Sequence, residues 1–108
     1  MLYGPSMDAF SVLAEPRRRR VVEILAQRGT LSATQICDEF DVTPQAISQH
    51  LRVLKEAKVL RMERRAQRRL YTINPRSMRQ IQVWAAAITR SWNSRFDRLD
   101  KSLKEEET

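Results

Sequence analysis

Residues 32–57 contain two helix starts that lie close together in the chain. Ser32 is followed three residues later by Gln35, the spacing of a capping box, in which the hydroxyl and the amide each satisfy a backbone N–H. Thr43 precedes Pro44, which predicts a second helix with Thr43 as N-cap and Pro44 in its first turn. Only a tight turn around Asp41 fits between the two helices. This arrangement matches the helix-turn-helix motif, whose second helix enters the major groove of DNA.

The second of these helices is predicted to have one apolar and one polar face. At about 100° per residue, Ile47, Leu51 and Leu54 fall within a narrow arc that predicts a buried face. The opposite face is polar, and amides and hydroxyls can form hydrogen bonds with base edges. An ordinary solvated helix face is the alternative interpretation. The residues that we expect to face DNA bases are Pro44, Gln45, Ser48 and Gln49.

Residues 60–73 alternate with a period of two on either side of Ala66 and Gln67, which predicts a two-stranded hairpin. The hairpin is rich in arginine and has one acidic residue, Glu63. A basic hairpin that follows a helix-turn-helix is typical of the wing of a winged helix, where arginines bind phosphates with an affinity that falls with salt. An edge ribbon that uses charge to prevent aggregation is the alternative. The predicted phosphate-binding residues are Thr43, Arg52, Lys55, Arg64, Arg65, Arg68 and Arg69.

Charge and length restrict the class of protein. A formal net charge of +7 favours a polyanionic partner, with double-stranded DNA first and an anionic membrane surface second. The 108 residues predict one winged-helix domain over 1–108. No apolar run approaches the roughly 20 residues of a spanning helix, so we expect no membrane insertion. The first residues lack the pattern of a signal peptide, and Cys37 has no cysteine to pair with in its chain, which together favour the cytoplasm.

The chain shows no arrangement typical of an enzyme. It has one histidine, no glycine-rich phosphate loop and no pair of acids in an apolar setting. We therefore expect no catalytic activity and no cofactor.

Two helices are predicted before the helix-turn-helix. Ser6 is expected to cap a short helix from Met7 to about Leu13, and Pro16 opens a second helix over residues 17–27. The arginines at 17–20 are either phosphate contacts or a solvated face whose stems pack on neighbours. We favour the solvated face, because four consecutive residues point all round a helix.

A long helix is predicted from about residue 76 to 104, followed by a frayed tail. Its apolar side chains, which continue to Leu103, form one stripe. The helix is too long for a small core to cover, so the stripe predicts a subunit interface in a homodimer, with the first helix as a second contributor. Packing of the whole stripe on its own domain is the alternative. The predicted interface residues are Phe10, Leu13, Ile81, Trp84, Ile88, Trp92, Phe96 and Leu99.

The chain resembles the ArsR family of bacterial winged-helix transcriptional repressors over residues 8–100. The resemblance rests on LAEPRRRR at 13–20, VTPQAISQHLRVLKEA at 42–57 and the end of the wing, LYTI, at 70–73. It implies a mainly α fold with a small β-hairpin, paired through the first and last helices. It also implies that the dimer binds a pseudo-palindromic operator and blocks transcription.

Many members of that family sense metals, and this chain departs from them. It has one cysteine, Cys37, and its only histidine, His50, lies outside the last helix, whereas a stable transition-metal site needs about four N or S ligands. The resemblance is therefore to the metal-independent branch, and we expect no metal site. His50 is expected to be structural or to contact phosphate, and Cys37 to be a packing residue. Trp84 and Trp92 could line a ligand pocket at the interface, but we expect them to pack in a core.

Three points stay open in the sequence. One alternative function is a metal- or redox-responsive repressor that uses Cys37 across the dimer, and another is a winged helix that binds a protein. Neither the effector ligand nor the operator can be read from the residues. The wing turn is also open, because Ala66 and Gln67 stand where the family commonly has a glycine.

Overall fold

The computed structural model describes the backbone of residues 8–107 and the side chains of residues 8–99. The chain forms two compact units, one ending at Met78 and the other beginning at Arg79. The helices are α1 Ala9–Val12, α2 Pro16–Arg28, α3 Ala33–Cys37, α4 Pro44–Glu56 and α5 Pro75–Glu107. The strands are β1 Leu31–Ser32, β2 Leu60–Arg65 and β3 Arg68–Ile73.

Both helix starts of the helix-turn-helix are confirmed. The Ser32 hydroxyl accepts a hydrogen bond from the Gln35 backbone N–H at 3.2 Å, and Gln35 Oε1 accepts from the Ser32 N–H at 2.9 Å. The Thr43 hydroxyl accepts from the Ala46 N–H at 3.2 Å. These local bonds fix where α3 and α4 begin.

The first helix is shorter than predicted and has a different cap. Asp8 is its N-cap, and a carboxylate oxygen of Asp8 accepts the Ser11 backbone N–H at 2.8 Å. Hydrogen bonds from the backbone and the hydroxyl of Ser11 lower the pKa of Asp8. The predicted cap Ser6 and the predicted start Met7 lie outside the described residues. The second helix, capped by Glu15, extends beyond the predicted range at both ends.

The core of the first unit is built from all its helices and from the sheet. Helix α4 buries the three side chains that its pattern predicted, since Ile47, Leu51 and Leu54 are at most 1% exposed. These pack with apolar side chains from the other elements, so the buried face of α4 is confirmed. The other described core residues are Ala9, Val12, Val21, Ile24, Leu25, Leu31, Ile36, Val59, Leu60 and Tyr71.

The sheet has three antiparallel strands in the order β1-β3-β2, where the sequence predicted only the β2–β3 hairpin. The additional strand pairs Leu31 with Tyr71 and Ser32 with Leu70. A strand as short as β1 shows no period of two, and therefore its sequence carries no strand signal. The pairing ties the start of α3 to the wing.

The end of α4 is a Schellman turn with lysine at the position usually held by glycine. Lys58 has a φ of 63°, the Val59 N–H donates to the Leu54 carbonyl at 3.0 Å, and the Lys58 N–H donates to the Lys55 carbonyl at 2.9 Å. The Lys58 carbonyl accepts two hydrogen bonds, one from the side-chain amide of Asn74 at 2.9 Å and one from the hydroxyl of Ser77. The turn thus fixes the start of α5 to the junction between α4 and the wing.

The wing turn places Ala66 in a backbone conformation that favours glycine. Arg65 pairs with Arg68, so Ala66 and Gln67 form a two-residue loop, and Ala66 has a φ of 57°. A type I′ turn needs positive φ at both loop positions, whereas type II′ needs it only at the first. Since Gln67 is not among the described residues with positive φ, the turn fits type II′.

We expect Ala66→Gly to stabilise the protein by about 0.5–1 kcal/mol, because relief of the positive φ outweighs the greater freedom of the unfolded chain. Chemical denaturation of both proteins measures the difference. Gln67→Gly is the matched control: it only loosens the unfolded chain and should lower the free energy of unfolding. Equal destabilisation by both glycines would contradict the assignment of the strain to Ala66.

Helix α5 is longer than predicted and runs to Glu107, beyond the predicted end at residue 104. Several large apolar side chains on it are exposed, among them Trp92 at 64% and Phe96 at 59%. The side chain of Leu103 lies outside the described residues. Within the described part of the chain, no helix combines the length and apolarity needed to cross a membrane.

Candidate nucleic-acid interface

The polar face of α4 opens onto a groove of about 710 Å³ between this helix and the wing strands. All four residues predicted to face bases are exposed and line the groove, as do Arg52 and Lys55. Helix periodicity explains this grouping, because the face opposite Ile47 and Leu51 must point away from the core. The complete lining is Ala33, Pro44, Gln45, Ser48, Gln49, Leu51, Arg52, Lys55, Met62, Arg64, Arg69 and Tyr71.

The sheet register divides the four wing arginines that were predicted to bind phosphate between two faces. Arg64 is opposite Arg69 on the face that also carries the Met62–Tyr71 pair, and these four side chains line the groove. Arg65 lies opposite Arg68 and does not line it. The structure therefore brings only two of the four predicted wing arginines together with the polar face of α4.

Electrostatics at the groove favour an anionic ligand. Its charged lining residues among the described side chains are all basic, namely Arg52, Lys55, Arg64 and Arg69. Like charges directly opposite each other on paired strands destabilise a sheet, and the Arg64–Arg69 pair is such a contact. A bound phosphate would remove this repulsion.

Sequence reasoning missed a second cleft of about 590 Å³, which adjoins the groove. Thr34 and Gln35 of α3 face the wing residue Gln67 across it, together with two wing arginines. The capping box was a signal for the position of Gln35, but the pairing of β1 with β3 that brings α3 to the wing was not predicted. The described lining is Ser32, Ala33, Thr34, Gln35, Gln67, Arg68 and Arg69.

His50 is held in a polar cluster behind α4 and not in the groove. Arg18 Nη1 lies 3.4 Å from His50 Nδ1, and Arg18 Nε donates to the Val12 carbonyl at 2.8 Å. Glu15 Oε2 accepts the Arg18 backbone N–H at 3.0 Å and lies 3.9 Å from His50 Nε2. Partial burial opposes ionisation of Glu15, but this hydrogen bond and the nearby His50 and Arg18 side chains together lower its pKa.

This cluster joins α4 to the start of α2, which supports the structural role among the two roles predicted for His50. The cluster also gives the four consecutive arginines of α2 different environments. Arg18 is half-buried in the cluster, whereas Arg17, Arg19 and Arg20 are exposed. Exposure of these three side chains fits both interpretations of the arginines, so the preference for a solvated face stays a prediction.

Cys37 is half-buried at the end of α3. Desolvation by burial, together with the negative charge of Asp38, raises the pKa of the Cys37 thiol. A raised pKa keeps the thiol protonated at neutral pH and lowers its reactivity. Among the described residues, no group of three or more His, Cys, Asp or Glu side chains could hold a metal ion.

A polar helix face beside a basic hairpin, built on a helix-turn-helix, defines a winged-helix DNA-binding protein. Comparison with known proteins agrees, because the helix-turn-helix domain family matches residues 13–63. The transcriptional repressor SdpR of Bacillus subtilis is 29% identical over 71% of this chain and 84% of its own. The arsenical resistance operon repressor of Escherichia coli is 30% identical over 76% of this chain and 67% of its own.

A solved structure of an ArsR family transcriptional regulator superposes with a TM-score of 0.70 at 25% identity, over 79% of this chain and 87% of the other. The chain belongs to the ArsR family of winged-helix transcriptional repressors. It is a DNA-binding transcriptional regulator and not an enzyme.

Proposed function

We propose that the chain represses transcription as a homodimer on a pseudo-palindromic operator in the cytoplasm, with the α4 helices of the two subunits in successive major grooves. The observation that carries the proposal is the groove in which the exposed polar face of α4 lies beside Arg64 and Arg69. In this arrangement α4 reads base edges while the wing holds the backbone of the same duplex.

Base contacts and phosphate contacts are assigned to different residues of α4 because their side chains differ in chemistry. Gln45, Ser48 and Gln49 carry amides and a hydroxyl that can both donate and accept, and with Pro44 they face the bases. Farther along α4, Arg52 and Lys55 can only donate and bind phosphates.

The remaining phosphate contacts that we propose come from the N-cap of α4 and from the wing. Thr43 accepts a hydrogen bond from Ala46, yet its hydroxyl proton remains free to be donated to a phosphate. Arg64 and Arg69 bind phosphates from the groove, and Arg65 and Arg68 bind from the other face of the wing.

The occupant that we propose for the apolar stripe of α5 is a second copy of this chain. Ile88 is 52%, Trp92 64%, Phe96 59% and Leu99 58% exposed, and so many large side chains rarely stay in water on one helix. Aromatic side chains each bury roughly 150–250 Å² and dominate the energetics of interfaces. The same interface is proposed to include Phe10, Leu13, Ile81 and Trp84.

Replacing Gln45 and Ser48 together by alanine should abolish operator preference. The two substitutions remove hydrogen bonds to base edges, each good pair being worth about 1–3 kcal/mol of discrimination, and leave the phosphate contacts in place. DNase footprinting of the chain's own upstream region first locates the operator. The ratio of affinities for the operator and a random duplex then measures the preference, and an unchanged ratio in the double variant would contradict base reading by α4.

Arg64→Ala is the matched control for base reading. It should weaken binding to the operator and to the random duplex alike, and lower the slope of log affinity against log salt by about 0.9 for each subunit, or about 1.8 for the proposed dimer. Because Arg64 is exposed and its removal relieves the repulsion from Arg69, the thermal midpoint should be equal to or slightly above that of the wild type.

A further inference from the structure

The only histidine of the chain lies on the side of α4 that faces α2, away from the groove. His50 directly follows Gln49, which is proposed to face bases, yet its side chain is only 16% exposed and does not line the groove. The charged groups that surround it are Arg18 of α2 and Glu15, the N-cap of α2. A side chain in this place can set the position of α4 without contacting DNA.

The contacts of the ring assign its neutral form. The Arg18 guanidinium has only donors, so the distance of 3.4 Å between Arg18 Nη1 and His50 Nδ1 requires a lone pair on Nδ1. The ring proton is then on Nε2, which lies 3.9 Å from Oε2 of Glu15. A neutral imidazole therefore suits both neighbours, because it accepts from Arg18 and presents its N–H to Glu15.

A second proton on the ring is incompatible with this arrangement. The imidazolium carries a hydrogen on Nδ1 as well, so the hydrogen bond from Arg18 is lost and two positive groups face each other. Arg18 is held in place, since its Nε donates to the Val12 carbonyl at 2.8 Å. Glu15 attracts the imidazolium over the longer of the two distances. Relief of the repulsion therefore comes from movement of His50 and of the helix that carries it.

Among the described residues, no other charged group lies within hydrogen-bond or ion-pair distance of the ring. Helix α1, which also packs on α4, has no ionisable side chain, and its N-cap Asp8 accepts from Ser11. Although partial burial opposes ionisation of Glu15, its hydrogen bond and neighbouring side chains lower its pKa, so it stays charged between about pH 5 and 8, where histidine titrates. The residues one turn away on α4 are all apolar, namely Ala46, Ile47, Val53 and Leu54.

From these contacts we propose that His50, Arg18 and Glu15 are positioning residues for α4, and that protonation of His50 weakens operator binding by displacing the base-reading face. This inference rests on the proposed function. Ser48 and Gln49 directly precede His50, and groups that recognise a ligand must be held within about 0.5 Å of their productive positions. Because linkage is reciprocal, DNA that prefers the neutral ring must release the proton when it binds.

Operator affinity of the wild type should fall at least about fivefold when the pH is lowered from about 7.5 to about 5.5. Affinity for a random duplex should change less, because the phosphate contacts of the wing come from the hairpin and not from α4. Fluorescence anisotropy at constant ionic strength measures both affinities. A His50 that contacted a phosphate would give the opposite sign, since its added charge would strengthen binding to both duplexes. Constant or rising operator affinity on acidification would overturn the inference.

His50→Asn tests whether the imidazole is the titrating group. The asparagine oxygen takes the place of Nδ1 and can accept from Arg18 but does not titrate, so operator affinity should no longer fall with acid. His50→Ala lacks the acceptor and should bind more weakly than His50→Asn at about pH 7.5. Gln27→His in the His50→Asn background is the matched control, because it places a titrating ring on an exposed residue of α2 and should not restore the acid loss. An acid loss that persists in His50→Asn would contradict the assignment.

Proton release on binding gives a test that needs no variant. Titration calorimetry of the wild type with the operator at about pH 6.5, in two buffers that differ in ionisation enthalpy, should show release of up to about one proton per subunit. Proton uptake, or no exchange, would overturn the inference while operator preference at about pH 7.5 still supports the proposed function. A wild type without operator preference at that pH would overturn both.

Discussion

Replacing Trp92 by glutamate should convert the proposed dimer into a monomer and weaken operator binding by roughly 10²–10⁴-fold. Trp92 is 64% exposed in the single chain, and a second copy would bury it in an apolar interface where an unpaired carboxylate is strongly disfavoured. Loss of the dimer removes the effective concentration that joins the two half-site contacts, which accounts for the size of the effect. Analytical ultracentrifugation measures the mass, and a gel-shift titration measures the affinity.

Ser94→Glu is the matched control for this substitution. Ser94 is exposed and lies about 160° round the helix from Trp92, so the same charge is placed away from the stripe. It should leave both mass and operator affinity near their wild-type values. A wild-type chain that sediments as a monomer, or a Trp92→Glu variant that remains dimeric, would rule out the stripe as the subunit interface.

The second large effect is expected in the core. Leu51→Ala should lower the free energy of unfolding by about 2–5 kcal/mol, because it removes a large side chain and leaves a cavity that the surrounding side chains fill only in part. Leu51 is 1% exposed on the buried face of α4, whose position depends on that packing. Total stabilities of such proteins are about 5–15 kcal/mol, so the loss is a large fraction. The thermal midpoint should fall by roughly 8 °C or more in differential scanning calorimetry.

Arg52→Ala, at the adjacent residue, separates stability from DNA binding. Arg52 is exposed and lines the groove, so its replacement should change stability by less than about 0.5 kcal/mol while weakening DNA binding. Leu51→Ala should therefore lower stability, whereas Arg52→Ala should lower DNA affinity with little change in stability. A Leu51→Ala protein with a wild-type midpoint would contradict the burial of α4 described above.

Much of the helix-turn-helix was predictable because its determinants are local. The capping box of Ser32 and Gln35 and the Thr43–Pro44 start are set by residues within one helical turn, and both were confirmed. The buried face of α4 follows from its period alone. The start of α1 was not predicted correctly, since Asp8 caps it, and neighbouring polar residues can compete for the same cap.

Contacts between distant parts of the chain were not predictable in the same way. Among the described strands, β1 pairs with β3 alone, and Arg18 contacts His50 across 32 positions of sequence. No local sequence pattern predicts such contacts, because each partner by itself is compatible with many environments. The second cleft was missed for this reason, although each of its side chains was visible in the sequence.

The amino-acid sequence by itself determined that α4 has a polar and an apolar face and that a basic hairpin follows it, because helix and strand periods are properties of neighbouring residues. Tertiary structure alone decided that Arg64 and Arg69 share the groove with α4 while Arg65 and Arg68 lie on the opposite face of the wing. The strand register sets which arginines share a face, and the packing of the hairpin against α4 sets which of those two faces lines the groove.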